Sequence, residues 1–139
     1  GYRAWSSDIG PDHTPDEAGL GWAVKMRSNI SFKGRDALAR QREEGIKKIM
    51  ATFTTDSDII LSGRETIYRN GHRCGWLSSA GFGHTIGKFI GMGYVRSDKY
   101  IDTEYVLSGE YELEVATERV KANVFLKPLY DPKMEKIKT

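Results

Sequence analysis

The chain has 139 residues, 39% of them hydrophobic and 29% charged, enough apolar material for one core or two unequal pieces, which excludes a disordered tail. Its 21 Lys plus Arg against 19 Asp plus Glu leave a formal net charge of +2, too balanced to single out a nucleic-acid partner. The one cysteine, Cys74, excludes an intrachain disulfide and a cysteine-held zinc or iron–sulfur centre, and no apolar run approaches the roughly 18 residues of a membrane helix.

The chain starts without Met, inside an aromatic stretch, Tyr2-Arg3-Ala4-Trp5, that reads as ordered. Residues 1 to 8 carry neither the basic end nor the apolar stretch of a signal peptide, so the natural N-terminus is expected elsewhere and the chain to be a piece of something larger. Residues 1 to 32 have the Gly, Pro and Asp punctuation of loops. Thr14, Pro15, Asp16 and Glu17 form a helix start, because Pro suits the first helical position and carboxylates complement the free N–H groups there; the turn should stop at Gly19 or Gly21. Trp22 to Met26, short, apolar and partly β-branched, predicts a strand. Gly34 to Glu44 predicts a helix, with opposite charges at i,i+4 (Asp36 and Arg40, Arg40 and Glu44) and Gly45 at the left-handed C-cap. Its thin apolar face, Ala37 and Leu38, suits a helix lying on a surface.

After Gly45 the pattern turns to period two, which marks a boundary between residues 1–45 and a β-domain over 46–130. Lys47 to Thr55 predicts a strand. Thr66 to Arg69 and His72 to Ser78 bracket Asn70-Gly71, the strongest signal for a two-residue type I′ hairpin turn. Phe89 to Val95 is an apolar strand carrying Gly91 and Gly93, as where a strand bends or another backbone comes close. Tyr105 to Leu107 and Tyr111 to Val115 read as strands flanking Ser108-Gly109-Glu110, and Glu110, Glu112 and Glu114 alternate with Tyr111, Leu113 and Val115, one face wet and one buried. Arg119 to Leu126 continues the meander, and residues 131–139 should fray. The fold class is therefore mainly β with minor α, its short antiparallel strands closing into a small barrel that leaves no exposed edge.

Chemistry-bearing residues are sparse. Ser78, His84 and Asp98 nominally supply a triad, but no serine sits in a nucleophile elbow. His13, His72 and His84 lack metal spacing; His13 beside Asp12 is a solvated turn residue, or else a pH sensor or a ligand contact. Gly81 to Gly87 lacks the Lys-Ser/Thr ending of a P-loop and precedes a strand where a dinucleotide fingerprint opens a helix, so it reads as a flexible link, or a lip over a ligand. Tyr2, Trp5 and Trp22 are either core anchors or, with Arg3, Asp8, Arg27 and Tyr130, a set that stacks on a flat heterocycle and pairs a carboxylate. The basic tail, Lys127, Lys133, Lys136 and Lys138, is offset by Asp131 and Glu135 and reads as solvated.

Together, Gly-Tyr-Arg-Ala-Trp at 1 to 5, Asp8-Ile9, Thr14 to Gly21 and Phe32 to Leu38 resemble the end of the folate-binding domain of the glycine-cleavage T-protein (aminomethyltransferase) family. Tyr68 to Gly71, Gly75 to Gly81, Gly91 to Val95 and Pro128 to Pro132 resemble its C-terminal barrel. The resemblance covers essentially the whole chain, and the first and last motifs look closer to the flavin-linked dimethylglycine and sarcosine dehydrogenases than to simple aminomethyltransferases. It implies a parent that oxidises an N-methyl amine at an upstream FAD domain and passes the one-carbon unit to tetrahydrofolate. This chain would help close the folate site against the upstream folate-binding and FAD domains. The family's folate-binding glutamate would lie just before Gly1 and its catalytic aspartate further upstream, so no catalytic residue is expected here. A family arginine aligns near Arg27, with Ser28 at the matching point, Tyr130 aligns near a ligand-contacting tyrosine, and Tyr2 and Trp5 could line the same pocket. Cys74 does not match the cysteine motif of the iron–sulfur-assembly members.

The resemblance also implies a bacterial cytoplasmic or mitochondrial matrix setting, no nucleic-acid or membrane partner, and an apolar face against the missing domain through which the isolated piece could dimerise. A non-catalytic subunit similar to the pyruvate dehydrogenase phosphatase regulatory protein is the alternative function. A third, a tRNA-binding relative of the folate domain, is disfavoured by the near-neutral charge.

Overall fold

The computed structural model describes residues 1 to 136 and residue 138. Period-two alternation places Ile49, Ala51 and Phe53 of strand β1 (Ile46–Thr54) on one side, and that side is the interior of a closed antiparallel barrel. The other strands are β2 (Thr66–Arg69), β3 (His72–Gly83), β4 (Lys88–Ile101), β5 (Tyr111–Val115) and β6 (Glu118–Phe125), paired in the order β1-β4-β3-β2-β5-β6, with β6 returning to β1. Ile67, Leu77, Val95 and Leu113 meet Phe53 in the interior, where its ring lies edge-on to Tyr111 at 5.4 Å.

The hairpin turn falls at Asn70-Gly71, both at positive φ (50° and 78°) as a type I′ turn requires. Gly75 and Gly93 mark close backbone approach between β3 and β4: a Cβ on Gly75 would run into the Tyr94 carbonyl, and one on Gly93 into the Trp76 carbonyl. Of the expected Gly81 to Gly87 link, Gly81, Phe82 and Gly83 instead finish β3, paired with Ile90, Phe89 and Lys88, and only residues 84–87 connect the strands, their turn closed by the N–H groups of Ile86 and Gly87 on the Gly83 carbonyl.

Two expected strands are absent. Tyr105 to Leu107 belong to a short helix, α2 (Thr103–Leu107), because the Asp102 carboxylate caps it by accepting the Tyr105 N–H at 2.8 Å. Only Val106 of that trio is buried, and Leu107 faces out. Trp22 to Met26 forms no strand either: Gly21–Ala23 is a single 3-10 turn, and among the described residues no strand pairs with the segment.

The helix expected before the barrel is α1 (Arg35–Glu44), ended by Gly45 at φ 101° and ψ 178°, an extended conformation open to glycine in place of the expected left-handed cap. None of its residues is buried, in keeping with its narrow apolar stripe. What ties it down is Arg42, whose guanidinium donates two hydrogen bonds to Asp16 at 2.7 and 2.8 Å, in place of the expected pairs along the helix. Asp16 lies in the turn that starts at Thr14. There the Thr14 N–H donates to Glu17 (2.9 Å) and the Glu17 N–H to the Thr14 hydroxyl (3.4 Å), a capping box that ends at Gly19 with φ 67°. The expected fraying concerns in part Ile137 and Thr139, which lie outside the described residues; before them, the Asp131 carboxylate accepts the N–H groups of Glu135 and Lys136. Among the described residues no helix is long and apolar enough to cross a membrane.

Candidate functional site

Residues 1 to 20 dock on the outside of the barrel, and a buried carboxylate makes the joint. Asp8 is 1% exposed. Its carboxylate accepts hydrogen bonds from the hydroxyls of Ser78 (2.5 Å) and Ser79 (2.7 Å) and from the Ala4 N–H (2.9 Å), while Tyr94 donates its hydroxyl to the Asp8 carbonyl (3.0 Å). An acceptor-only group can be buried when donors surround it in this way. Two adjacent serines reach one carboxylate because the β3–β4 register slips between Leu77 and Ser79, and such a bulge breaks the strict alternation of side chains.

Next to this joint, the His13 ring stacks on Tyr94 at 4.4 Å. Burial, with Lys48 and Arg96 nearby, lowers the His13 pKa below 6.5 against the opposing pull of Glu17 and Asp12. Burial likewise pushes the Tyr94 phenol up to about 12. Lys48 donates to the Asp12 carbonyl at 2.6 Å and lies 3.5 Å from the Glu17 carboxylate.

The side chains singled out as a binding set are mostly exposed: Tyr2 75%, Trp5 68%, Trp22 76% and Tyr130 48%. Gly1 sits against the Pro128 ring, so the segment carrying Tyr2 and Trp5 and the segment carrying Tyr130 meet at one edge of the barrel, over Met50, Met92 and Leu126. Arg27 and Trp22 instead line an open depression of about 590 Å³ with Val24, Lys25 and Arg42. Its loop is held by Arg35, whose guanidinium donates to the carbonyls of Met26 (2.7 Å), Ser28 (2.7 Å) and Ile30 (3.0 Å). Among the described residues no ring contact or side-chain hydrogen bond joins Tyr2, Trp5, Arg27 and Tyr130 to one another; Tyr130 instead accepts a hydrogen bond from Lys136 at 3.0 Å.

No nucleophile is assembled around the nominal triad. The Ser78 hydroxyl is committed to Asp8 and the Met92 carbonyl, and the His84 ring packs on Phe82 at 5.2 Å. Burial pushes the Cys74 thiol up to about 11, the opposite of what a reactive cysteine needs. No cluster of His, Cys, Asp and Glu that could hold a metal ion occurs among the described residues. Exposed aromatic rings and a guanidinium are groups of the kind that stack on planar rings and pair with carboxylates. Sequence reasoning missed the Asp8 anchor and the His13–Tyr94 stack. The Ser78-Ser79 step inside an otherwise alternating strand was the one signal of the anchor.

A family model described as the glycine cleavage T-protein C-terminal barrel domain matches residues 48–131. Mitochondrial sarcosine dehydrogenase of Mus musculus is 37% identical over 99% of this chain, which covers 15% of that protein. The mitochondrial pyruvate dehydrogenase phosphatase regulatory subunit of Mus musculus is 33% identical over 92% of the chain, covering 16% of its own length. An aminomethyltransferase of Geobacillus sp. is 32% identical over 91% of the chain and is covered to 33%. Among solved structures, the glycine cleavage system aminomethyltransferase T from Bartonella henselae superposes with a TM-score of 0.73 over 88% of this chain and 34% of its own, at 24% identity, a likeness of fold. The chain thus spans between 15% and 33% of the length of these curated relatives.

Proposed function

Because the chain belongs to the family of the glycine cleavage T-protein C-terminal barrel domain, we propose that it serves as the C-terminal part of a folate-dependent one-carbon enzyme. In this reading residues 1–45 finish a folate-binding domain, the barrel over 46–130 caps it, and the two close one wall of a tetrahydrofolate site. The observation that carries the reading is the Asp8 joint. It holds the segment bearing Tyr2 and Trp5 rigidly on the barrel, beside the segment bearing Tyr130, while leaving their rings uncovered.

These residues suit the ligand. Exposed aromatic faces fit a pterin or aminobenzoyl ring, and the exposed guanidinium of Arg27, in its open depression, fits a glutamate carboxylate. Bound tetrahydrofolate would supply the nitrogens that carry the one-carbon unit. The chain's own side chains would stack, pair charge and keep water from the reactive carbon. Its residues do not fit FAD, since the Gly81 to Gly87 run joins strand to strand and presents no helix N-terminus to a diphosphate. A flavin belongs to upstream domains, as in a parent resembling sarcosine or dimethylglycine dehydrogenase, located in the mitochondrial matrix or bacterial cytoplasm.

The test is 5-formyltetrahydrofolate binding by the chain joined to its upstream region. Trp5→Ala with Tyr130→Ala should weaken binding by about 10-fold or more, the loss of one or two ring stacks. Unchanged affinity in that double variant overturns the assignment of the wall. A second reading, a non-catalytic regulatory subunit, is favoured by the 33% identity to the phosphatase regulatory protein. It requires that the joined protein turn over no N-methyl amine while still engaging a phosphatase.

A further inference from the structure

Three side chains stand side by side on the outer face of the barrel: Lys48 of β1, Arg96 of β4 and Trp76 of β3. Lys48 and Arg96 are direct cross-strand partners, a placement of like charges that is unfavourable unless each is neutralised. Lys48 is neutralised, by the Asp12 carbonyl and the Glu17 carboxylate. Arg96 is not. Its guanidinium lies 4.1 Å from the Trp76 ring centroid, no carboxylate pairs with it among the described residues, and its Nε is buried without a hydrogen-bond partner. On the same Tyr94 ring that Arg96 approaches at 6.0 Å, His13 stacks at 4.4 Å, and its Nδ1 is also buried and unpartnered.

Two polar nitrogens left without partners beside one ring describe a site that lacks its acceptor, because a buried N–H of a charged group is costly to leave unmatched. The geometry points to an oxyanion site here, in which the Arg96 fork and His13 Nδ1 take the carboxylate or phosphate group of a small solute. Stacking on Trp76 fixes the plane of the guanidinium before the anion arrives, which lowers the cost of ordering it. Two neighbouring acids do not compete: Asp8 is saturated by three donors, and Glu17 is taken by the Thr14 N–H and Lys48. The inference does not depend on the folate reading.

The experiment is a titration of the chain with inorganic phosphate and, separately, glutarate, following the ring protons of His13 and the indole N–H of Trp76 by NMR. A bound anion should raise the His13 pKa from its depressed position back toward 6.5, with saturation in the millimolar range, and the arm that saturates identifies phosphate or carboxylate. Arg96→Gln should abolish the response, Arg96→Lys should weaken it because the fork is lost, and Lys121→Gln, an exposed cation on β6, should leave it intact. No saturable response to either anion, or an undiminished response in Arg96→Gln or Arg96→Lys, overturns the site.

Discussion

Asp8 holds the N-terminal segment to the barrel through donors about 70 positions away in the chain, and its removal should be felt at once. Asp8→Ala strands the Ser79 hydroxyl and the Ala4 N–H and leaves Ser78 only the Met92 carbonyl, and at roughly 1 to 3 kcal/mol per unmet group we expect a loss of about 3 kcal/mol in urea unfolding, more than Ser79→Ala alone. His13 makes the same joint sensitive to acid. Its folded pKa lies below 6.5, so the unfolded chain binds the extra proton first; the stability tied to neutral His13 is complete above pH 6.5 and drains away as pH falls through the folded pKa. Melting of wild type and His13→Gln, followed from pH 8 to pH 5, should show a steeper acid decline in the wild type, and parallel curves would exclude this role. Cys74 offers a third check at this scale. A thiol pushed up to about 11 is less ionised at neutral pH than one at an ordinary 9.0, which outweighs the greater nucleophilicity of a more basic thiolate, so alkylation by iodoacetamide should be about 10-fold or more slower than in the unfolded chain. Little of this was legible in the residues alone. Asp8 reads as one charged member of a ligand-binding set, not as an anchor, until the bulge at Ser78 and Ser79 brings its donors together.

Strands announced themselves where one face was wet. Glu112 and Glu114 against Tyr111 and Leu113 leave no ambiguity of period, and the Asn70-Gly71 turn fixes the register of its hairpin. The failures came where a local capping group outweighed an apolar run. At Tyr105 to Leu107 three large side chains looked like a strand, but Asp102 ahead of them accepts the Tyr105 N–H and starts a helical turn that buries Val106 alone. Asp102→Ala should therefore cost about 1 kcal/mol, the usual worth of an N-cap, and a substitution without effect on the unfolding midpoint would mean packing of Val106 suffices. Gly93 belongs to the same scale. A methyl there meets the Trp76 carbonyl and the Leu77 backbone, neither of which can swing aside as a flexible side chain could. Gly93→Ala should destabilise by about 1 to 3 kcal/mol, as overpacking does, whereas the exposed Gly81→Ala should be close to neutral.

At the scale of the whole molecule the closure of the barrel was readable from the number of its antiparallel strands, but the length of β3 and β4 and the strand order were not, since nothing in the period of β1 says that its neighbours will be β4 and β6. That order leaves an uneven ring. The β1–β4 ladder runs from Ile46 opposite Ile101 to Thr54 opposite Ile90, whereas β1 meets β6 only from Thr52 to Thr54. Beyond that short seam the edge of β1 is taken by the N-terminal segment, whose Glu17 carbonyl accepts the Met50 N–H at 2.9 Å. The far end of the seam is pinned by Asp56, paired with Lys88 and hydrogen-bonded by the Asn123 amide. A ring opens at its least-paired joint, so backbone amides of β6 should exchange with solvent through a lower-energy opening than those of β1, β4 and β3. The pin is exposed and screened by salt, so Asp56→Ala, or high ionic strength in the wild type, should speed exchange in residues 118–125 while leaving the midpoint of global unfolding nearly unchanged. Equal protection of β6 and β4 amides in a hydrogen-exchange series would mean that the N-terminal segment seals the ring as firmly as a full ladder does. In that case Asp8→Ala, which loosens the segment, should expose the seam that Asp56→Ala does not.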